Sequence, residues 1–410
     1  MTQAQSRSRV LHLVSAQEQS GTANALMLQP LLARGDRSRI QHQVVAFAPG
    51  KPQAAVLRTL RVPVHEIEWS RTRFAPTAPH ELLRLAREFR PDIVHAWGPM
   101  AQLAGVGLQR LLKQRPALVW NVTGTNPPAE DAGLLDRLKQ RVLIKTAGVP
   151  NRIVFSSSTA AAQYRRSGFP EDKATVIAPG IDAERHKPDF AARQKVRERL
   201  ELDAKAVLIG MLAPFQTEYD HSTFIKATAE IIKYNPNAYV VLAGRGVQRG
   251  NHALMGLLGG GSLATRTALL GEWSDLSSLF NACDVVCSSA TTDSSRLNLA
   301  AAMMCGVPCV GTGVGAQGEL LGQFGISVEQ GSPSALTKGI TRILEMPPDK
   351  RAFFAQSARK HAIQNYSLQT AVERYQALYA ELMASAPAKK PITVTVEEEA
   401  PSSPAAVGEN

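Results

Sequence analysis

The chain has 410 residues, of which 44% are hydrophobic and 20% charged, and its formal net charge is +11. This length exceeds what one ordinary hydrophobic core holds, and the composition is that of globular proteins, so we expect two folded domains and exclude a fibrous chain. No run of cations with interleaved aromatic residues indicates nucleic acid, and no stretch approaches the ~18 apolar residues of a membrane-spanning helix.

Short apolar runs alternate with helical patterns through the first half of the chain. The runs that predict strands lie within residues 9–14, 42–50, 62–69, 90–99, 117–125, 152–158 and 173–180. This alternation predicts a doubly wound parallel sheet of the Rossmann type. Gly21 follows the first strand and opens a helix whose amino end would face the carboxyl edge of the sheet, where an anion is favoured. His95 is expected near the carboxyl end of its own strand.

The same alternation restarts after a charged connector at residues 193–205. The runs that predict strands there lie within residues 206–212, 237–246, 267–273, 284–289, 306–312 and 326–331. A helix is predicted from Ser222 to Tyr234, and a shorter one begins at Asp275. The second half therefore predicts a second αβα sandwich.

A last helical pattern begins at Tyr366, and apolar residues recur along it at helical spacing. These residues are Ala371, Tyr375, Leu378 and Leu382. We expect this helix to close the fold and the polar tail after Ser385 to be disordered. The predicted organisation is a flexible amino terminus (1–8), an N-terminal Rossmann-like domain (9–182), a C-terminal Rossmann-like domain (183–365), the closing helix (366–384) and the tail (385–410).

All four cysteines lie on or beside predicted strands of the second half. They are Cys283, Cys287, Cys305 and Cys309. Four cysteines could bind zinc, but both pairs have a four-residue spacing in apolar surroundings, which favours buried reduced thiols. We therefore predict no metal site.

Nicotinamide-dependent dehydrogenases also contain Rossmann-like domains. They need a Gly-x-Gly-x-x-Gly turn after the first strand and an acidic residue about twenty positions later. The segment SAQEQSGTANA lacks this pattern, and GRGVQRGNH after Gly244 has the glycines without a recognisable cofactor half. We predict no cofactor of this kind.

The positive charge is concentrated in the first half, where residues 1–180 carry 24 Lys and Arg against 12 Asp and Glu. Within it, residues 130–148 combine apolar residues at helical spacing with four cations. Such a helix can lie on an anionic membrane surface, or it can pack on the sheet with a solvated cationic face. The charge asymmetry itself indicates an anionic partner, or it reflects a genome biased toward arginine codons.

Taken together and in order, several segments resemble the retaining group-1 glycosyltransferases of the GT-B fold, over nearly the whole ordered chain. Quoted as they stand, the segments are Gly21, RPDIVHAW, VIAPGID, LAGRG, LLGEWSD, ACDVVCSS, MMCGVPCVGTGVGAQGE and YSLQTAVERYQALY. The resemblance implies two Rossmann-like αβα domains that face each other across a cleft. It also implies transfer of a sugar from a nucleotide-diphosphate sugar to an acceptor with retention of configuration, without a metal.

The resemblance further implies a set of site residues. Asp293 and His95 would be catalytic. The residues implied in donor and phosphate binding are Gly21, Gly210, Gly244, Gly246, Ser294, Ser295, Arg296, Leu297 and Glu319.

This chain departs from the family pattern at several donor-site positions. Met211 stands where an arginine is expected, and Gln216 or Tyr219 where a lysine is expected. Of the two family glutamates, the first is Asp293 and the second is Ala301. The lost cations would have neutralised the leaving diphosphate.

Two other changes fall in the same loops, and two arginines offer substitutes for the lost charge. Ser294-Ser295 replaces Gly-Phe, and Thr123 replaces a histidine of the first domain. Arg296, at the start of a helix, or Arg245, in the Gly244–Gly246 turn, would supply a cation near the diphosphate.

Two hypotheses follow from this pattern. The first is an active retaining transferase that acts in cell-surface glycan or glycolipid synthesis on a glycan or lipid-linked acceptor. The second is a catalytically degenerate protein of the same fold that binds a nucleotide sugar, a glycan or a protein partner. The polar amino terminus lacks a signal-peptide core, so we expect a cytoplasmic protein, with peripheral contact to the inner membrane face through the basic first half.

Overall fold

The computed structural model describes residues 7–15, 23–47, 52–69, 77–122, 134–292 and 296–385. Most of the predicted amino-terminal segment and nearly all of the predicted tail lie outside these residues. So do Gly21, Thr123, Asp293 and Ser294-Ser295.

The first domain is built on a seven-stranded parallel sheet with the order β3-β2-β1-β4-β5-β6-β7. Its strands are β1 (Ser8–Val14), β2 (Ile40–Phe47), β3 (Val64–Ile67), β4 (Ile93–Trp97), β5 (Ala117–Val122), β6 (Arg152–Phe155) and β7 (Ala174–Val176). Its helices are α1 (Ala23–Arg34), α2 (Pro52–Thr59), α3 (Ala78–Phe89), α4 (Pro99–Leu111), α5 (Leu134–Thr146) and α6 (Ser158–Arg166). The central strands are almost wholly buried because helices cover both faces of the sheet.

The second domain is built on a six-stranded parallel sheet with the order β10-β9-β8-β11-β12-β13. Its strands are β8 (Val207–Leu212), β9 (Ala238–Ala243), β10 (Thr267–Leu269), β11 (Val285–Ser288), β12 (Cys309–Thr312) and β13 (Ile326–Val328). The helices that follow β7 are α7 (Phe190–Arg199), α8 (His221–Tyr234), α9 (His252–Leu258), α10 (Ser262–Thr265), α11 (Leu276–Ala282), α12 (Arg296–Met304), α13 (Ala316–Leu321), α14 (Pro333–Leu344), α15 (Pro348–Tyr366) and α16 (Leu368–Ala384). The predicted fold class, two Rossmann-like domains of the GT-B type, is confirmed.

Both sheets reverse their strand order at one point. In the first sheet β1 lies between β2 and β4, and in the second β8 lies between β9 and β11. Ligands of such folds bind outside the carboxyl ends of the strands at this switch point. A ligand site in the second domain is therefore expected at the loops after β8 and β11.

Two chain crossings connect the domains, and they run side by side. The Ile181 N–H donates to the Tyr366 carbonyl at 2.8 Å, and the Leu368 N–H donates to the Ile181 carbonyl at 2.8 Å. Gly180 is required here because a Cβ atom on it would lie 2.6 Å from the Leu368 Cα. The predicted domain boundary at residue 182 falls in the first crossing and stays a prediction.

After the second crossing, α16 returns to the first domain and packs on its sheet. Its buried residues include the four predicted from helical spacing: Ala371, Tyr375, Leu378 and Leu382. They share one core with Val10, Val44 and Val119 of the central strands. The closing helix therefore belongs structurally to the first domain.

The four cysteines are buried free thiols. Burial raises the pKa of Cys305 to about 11 and also raises the pKa values of Cys283, Cys287 and Cys309. Among the described residues, no group of three or more His, Cys, Asp or Glu side chains is arranged to hold a metal ion.

Candidate functional site

The two domains contact each other where three helices begin. In the second domain, α12 follows the β11 loop and α13 follows β12. In the first domain, α6 follows β6. Its first turn bonds to α13, and Ser156, two residues before α6, bonds to the first residue of α12. All three helices start at the carboxyl edge of a parallel sheet, the edge at which both sequence patterning and strand order predict a ligand.

Arg296 is the first residue of α12, and its side chain is almost completely buried between the domains. Only 6% of the residue is exposed. One guanidinium nitrogen, Nη1, donates to the Ser156 carbonyl at 3.2 Å, and Nε has no hydrogen-bond partner among the described residues. No described carboxylate forms an ion pair with it. Burying a cation without a counter-charge is costly, so this position favours an anion.

Glu319 lies on α13 and reaches across to the amino end of α6. Its carboxylate accepts hydrogen bonds from the Ser158 N–H at 3.1 Å, the Thr159 N–H at 2.5 Å and the Thr159 hydroxyl at 2.5 Å. A carboxylate is favoured there because the first N–H groups of a helix lack partners within the helix and carry partial positive charge. Glu319, which was expected to bind the sugar donor, here forms hydrogen bonds between the two domains.

Two of the predicted glycines shape the carboxyl edge of the second sheet. Gly244 has a φ of +148°, and a Cβ there would lie 2.3 Å from the Ala213 carbonyl oxygen, so the ends of β8 and β9 can meet only at a glycine. The Arg245 carbonyl accepts from the Phe215 N–H at 2.8 Å. Gly246, with a φ of +80°, completes the turn.

Two other residues that were predicted to bind the sugar donor pack against the core of the second domain. Gly210 lies inside β8, where an added Cβ would lie 2.5 Å from the Cys283 sulfur. Leu297 is half-buried against the core of the second domain. The predicted phosphate-binding role of Gly210 is therefore not supported, because the close approach it permits is to a core side chain.

The expected catalytic role of His95 is also not supported by its position. The residue has no exposed surface, its Nδ1 lies 2.6 Å from the Tyr379 hydroxyl, and its ring centroid is 4.3 Å from that of Trp97. Burial lowers the pKa of His95 to about 3, so the ring is neutral. The side chain contacts α16 rather than the cleft, and it anchors that helix to the sheet.

The substituted motif positions are filled without charge. Met211 is 1% exposed and packs in the core, with its sulfur 3.7 Å from the Ser289 hydroxyl. Ala301 is buried within α12, and Gln216 is exposed. Of the two candidate substitute cations, Arg245 is exposed whereas Arg296 is buried at the domain junction.

Sequence reasoning missed the residues that hold the β11 loop. Gln317 is fully buried and donates from Nε2 to the Thr292 carbonyl at 2.9 Å, while Thr312 donates to the Ala290 carbonyl at 2.5 Å. The Thr291 N–H donates to the Glu218 carbonyl at 2.8 Å. These contacts fix the loop that leads to Asp293, and their only sequence signal was the polar character of the two loops.

Comparisons with known proteins agree with this architecture. A model of Glycosyltransferase Family 4 matches residues 31–185, and a model of Glycosyl transferases group 1 matches residues 204–346, so the two ranges together cover well over half of the chain. The lipopolysaccharide core biosynthesis mannosyltransferase LpsB of Rhizobium meliloti is 22% identical over an alignment of 310 residues, and the match covers 71% of this chain and 84% of that protein.

A second relative and two solved structures extend the comparison. The D-inositol 3-phosphate glycosyltransferase of Rhodococcus jostii is 25% identical over 53% of this chain, and the match spans 49% of that protein, about half of its length. HepE of Anabaena in complex with UDP and glucose superimposes with a TM-score of 0.72 at 20% identity, over 92% of this chain and 100% of that chain. A glycosyltransferase of Rickettsia africae superimposes with a TM-score of 0.76 at 15% identity, over 92% of this chain and 99% of that chain. The chain belongs to the group-1 glycosyltransferases.

Proposed function

We propose that this protein transfers a sugar from a nucleotide-diphosphate donor to an acceptor, and that the donor diphosphate binds at the amino end of α12 beside Arg296. The observation that carries this proposal is the buried guanidinium without an anionic partner among the described residues. A diphosphate would supply the missing charge, and the first N–H groups of the helix would add donors.

The same arrangement suits the chemistry of sugar transfer. The leaving diphosphate gains negative charge as the glycosidic bond breaks, and a fixed cation in a site shielded from water stabilises that charge. Since Met211 and Ala301 are buried and uncharged, Arg296 takes over the electrostatic role in this proposal. Asp293, three residues before it, would bind hydroxyls of the sugar.

We infer retention of configuration, a metal-independent reaction and a glycan or lipid-linked acceptor from the same family membership. LpsB is named as a mannosyltransferase of lipopolysaccharide core biosynthesis, and HepE was solved with UDP-glucose. Product anomers resolved by NMR, with and without a chelator, test the stereochemistry and the metal requirement.

Calorimetric titration with uridine, guanosine and adenosine diphosphate sugars tests the donor site. Arg296→Gln should weaken binding of the preferred nucleoside diphosphate by about 10- to 100-fold, because a charge-assisted hydrogen bond contributes about 1.5–3 kcal/mol. The free nucleoside should bind equally well to both proteins. Arg249→Gln, at an exposed arginine of the same domain, is the matched control. Equal losses for nucleoside and diphosphate would reject the phosphate role.

A catalytically degenerate binding protein is the second candidate, and the buried, uncharged Met211 and Ala301 favour it. The two candidates differ in one outcome of the same experiment. Donor binding followed by release of free nucleoside diphosphate indicates the enzyme. Tight donor binding without hydrolysis or transfer to any lipid or glycan fraction indicates the binding protein.

We also infer that α5 contacts an anionic membrane surface. Leu138 is 56% exposed and Val142 is 39% exposed. Arg141 and Lys145 are exposed beside them, so the positions i, i+3, i+4 and i+7 form one face that is both apolar and cationic. Leu143 and Ile144 pack instead against the core of the first domain. Among the described residues, no helix is long and apolar enough to cross a membrane.

Vesicle co-sedimentation tests this surface. The protein should sediment with phosphatidylglycerol-containing vesicles and not with phosphatidylcholine vesicles, and Leu138→Ser with Val142→Ser should reduce the bound fraction. Leu111→Ser removes an exposed leucine from α4, 62% exposed in the protein, and should leave binding unchanged. Binding that is independent of lipid charge, or equal loss in the control, would reject the proposal.

A further inference from the structure

We propose that Glu319 is a positioning residue that holds the two domains in register by clasping the first turn of α6. The proposal depends on the proposed function in one respect: the relative position of the domains is taken to align the donor with the acceptor. The clasp itself consists of Glu319 and the adjacent residues Ser158 and Thr159, which lie 161 and 160 positions before it in the chain.

The amino end of α6 has its first donors occupied in this arrangement. Ser157, the residue before the helix, accepts from the Ala160 N–H at 3.0 Å through its own hydroxyl. Glu319 accepts from the two N–H groups that this cap does not reach. The Glu319 carboxylate therefore supplies acceptors for the two helix N–H groups that have no other partner among the described residues. These hydrogen bonds fix the position of the carboxylate, which attraction to the helix dipole alone would not do.

The carboxylate is carried on a firmly held element. Neighbouring residues of α13, among them Gln317 and Leu320, are fully buried. Gly318 lies so close to the preceding loop that a Cβ there would lie 2.9 Å from the Gly313 carbonyl oxygen. Because the α13 backbone is fixed to β12, a displacement of α6 relative to Glu319 would also displace the domains.

Arg296 contacts the same stretch of the first domain. It bonds to the Ser156 carbonyl, and Glu319 bonds to the two residues after Ser157. Tyr366, at the second chain crossing, lies within the field of both side chains: burial raises its pKa, the Arg296 charge lowers it and the Glu319 charge raises it. An anion bound to Arg296 would therefore lie close to the Glu319 clasp and to the second chain crossing.

Spin-label distance measurements on the full chain test the clasp. Lys113→Cys and Lys338→Cys place one label on each domain at exposed positions, and the four native cysteines are buried. In Glu319→Gln the interdomain distance distribution should broaden or shift, with UDP affinity retained. Glu329→Gln, which neutralises an exposed glutamate of the same domain, is the control and should match the parent. Thr159→Val removes one donor from the opposite side and should produce a smaller change.

A double-variant cycle separates the clasp from general destabilisation. If Glu319 acts through Thr159, Thr159→Val should have little further effect on the distances once Glu319→Gln is present. For any donor that turns over, Glu319→Gln should lower kcat about tenfold with little change in donor KM, because misalignment affects the reaction rather than binding. Unchanged distances with weakened UDP binding would overturn the proposal and indicate a donor ligand. Failure of the parent protein to bind UDP would count against a uridine donor and leave the distance test intact.

Discussion

The histidines beneath α16 should make the first domain sensitive to acid. The His12 and His42 side chains share a hydrogen bond of 3.0 Å between Nε2 and Nδ1, and the Trp97 indole N–H donates to the other His12 nitrogen at 3.2 Å. This network suits neutral rings, because protonating His12 would place a second donor against the indole. Burial lowers the pKa of His42 to about 4, that of His95 to about 3 and that of His12 well below its usual value.

The sign and size of the effect follow from these shifts. Since the folded-state pKa lies below the unfolded value of about 6.5, the unfolded chain binds more protons, and stability is lost as the pH falls from 6.5 toward the folded pKa. A histidine such as His42 then loses about 1 kcal/mol of stabilisation between about pH 7.5 and about pH 5.5. His42 and His95 together lose about 2–3 kcal/mol, and His12 adds a loss in the same direction, so the total is a large part of a typical domain stability.

Urea unfolding followed by tryptophan fluorescence measures this loss, since Trp97 and Trp120 are buried in the same domain. His42→Gln should reduce the difference in the free energy of unfolding between the two pH values by about 1 kcal/mol, because one titrating group is removed. His252→Gln, at an exposed histidine of the second domain, should leave the difference unchanged. An unaltered pH dependence in His42→Gln would refute the assignment of the effect to this network.

Three further outcomes are expected. Gly244→Ala should lower the free energy of unfolding by more than about 1 kcal/mol and abolish UDP binding, because the added Cβ would clash with the backbone and φ is +148°. Gly250→Ala is the control and should change neither quantity, because no atom lies within 4 Å of its added Cβ. Cys305, with a pKa raised to about 11 by burial, should react with a disulfide reagent near pH 8 only after urea is added, and rapid native labelling would contradict this. Arg296→Met should preserve or raise the melting temperature of the ligand-free protein while removing its stabilisation by UDP; a clear fall in melting temperature would instead indicate a structural cation.

The fold could be predicted because its signals are local. Buried parallel strands are continuous apolar runs, and α16 shows its buried face at helical spacing. The long helix α15, Pro348–Tyr366, was missed since only Ala358, Ala362 and Tyr366 are buried along it. With so few buried positions, two of them alanines, its apolar stripe is too sparse to stand out in the sequence.

The site was only partly predictable, because its geometry depends on residues far apart in the chain. The position of Arg296 at a helix start follows from the sequence, whereas its burial depends on Ser156, 140 residues away. His95 was expected to be catalytic because the family resemblance implied it and because the residue lies near the carboxyl end of its predicted strand. The structure instead covers that strand face with Tyr379 of α16, which lies 284 residues further along the chain.

The burial of an arginine without a described counter-charge is the strongest argument for an anionic ligand at the domain junction. A core that served stability alone would favour an apolar residue at position 296, since burying an unpaired cation between domains is destabilising. The substituted motif positions do carry apolar residues, because Met211 and Ala301 are buried in the core. Arg296 departs from this pattern. In the proposed function, a bound diphosphate would offset the cost of burying its charge, so donor binding would stabilise the folded protein. In these two proposals, donor binding and domain register would depend on neighbouring contacts, because the Arg296 and Glu319 side chains both bond to residues 156–159 of the first domain.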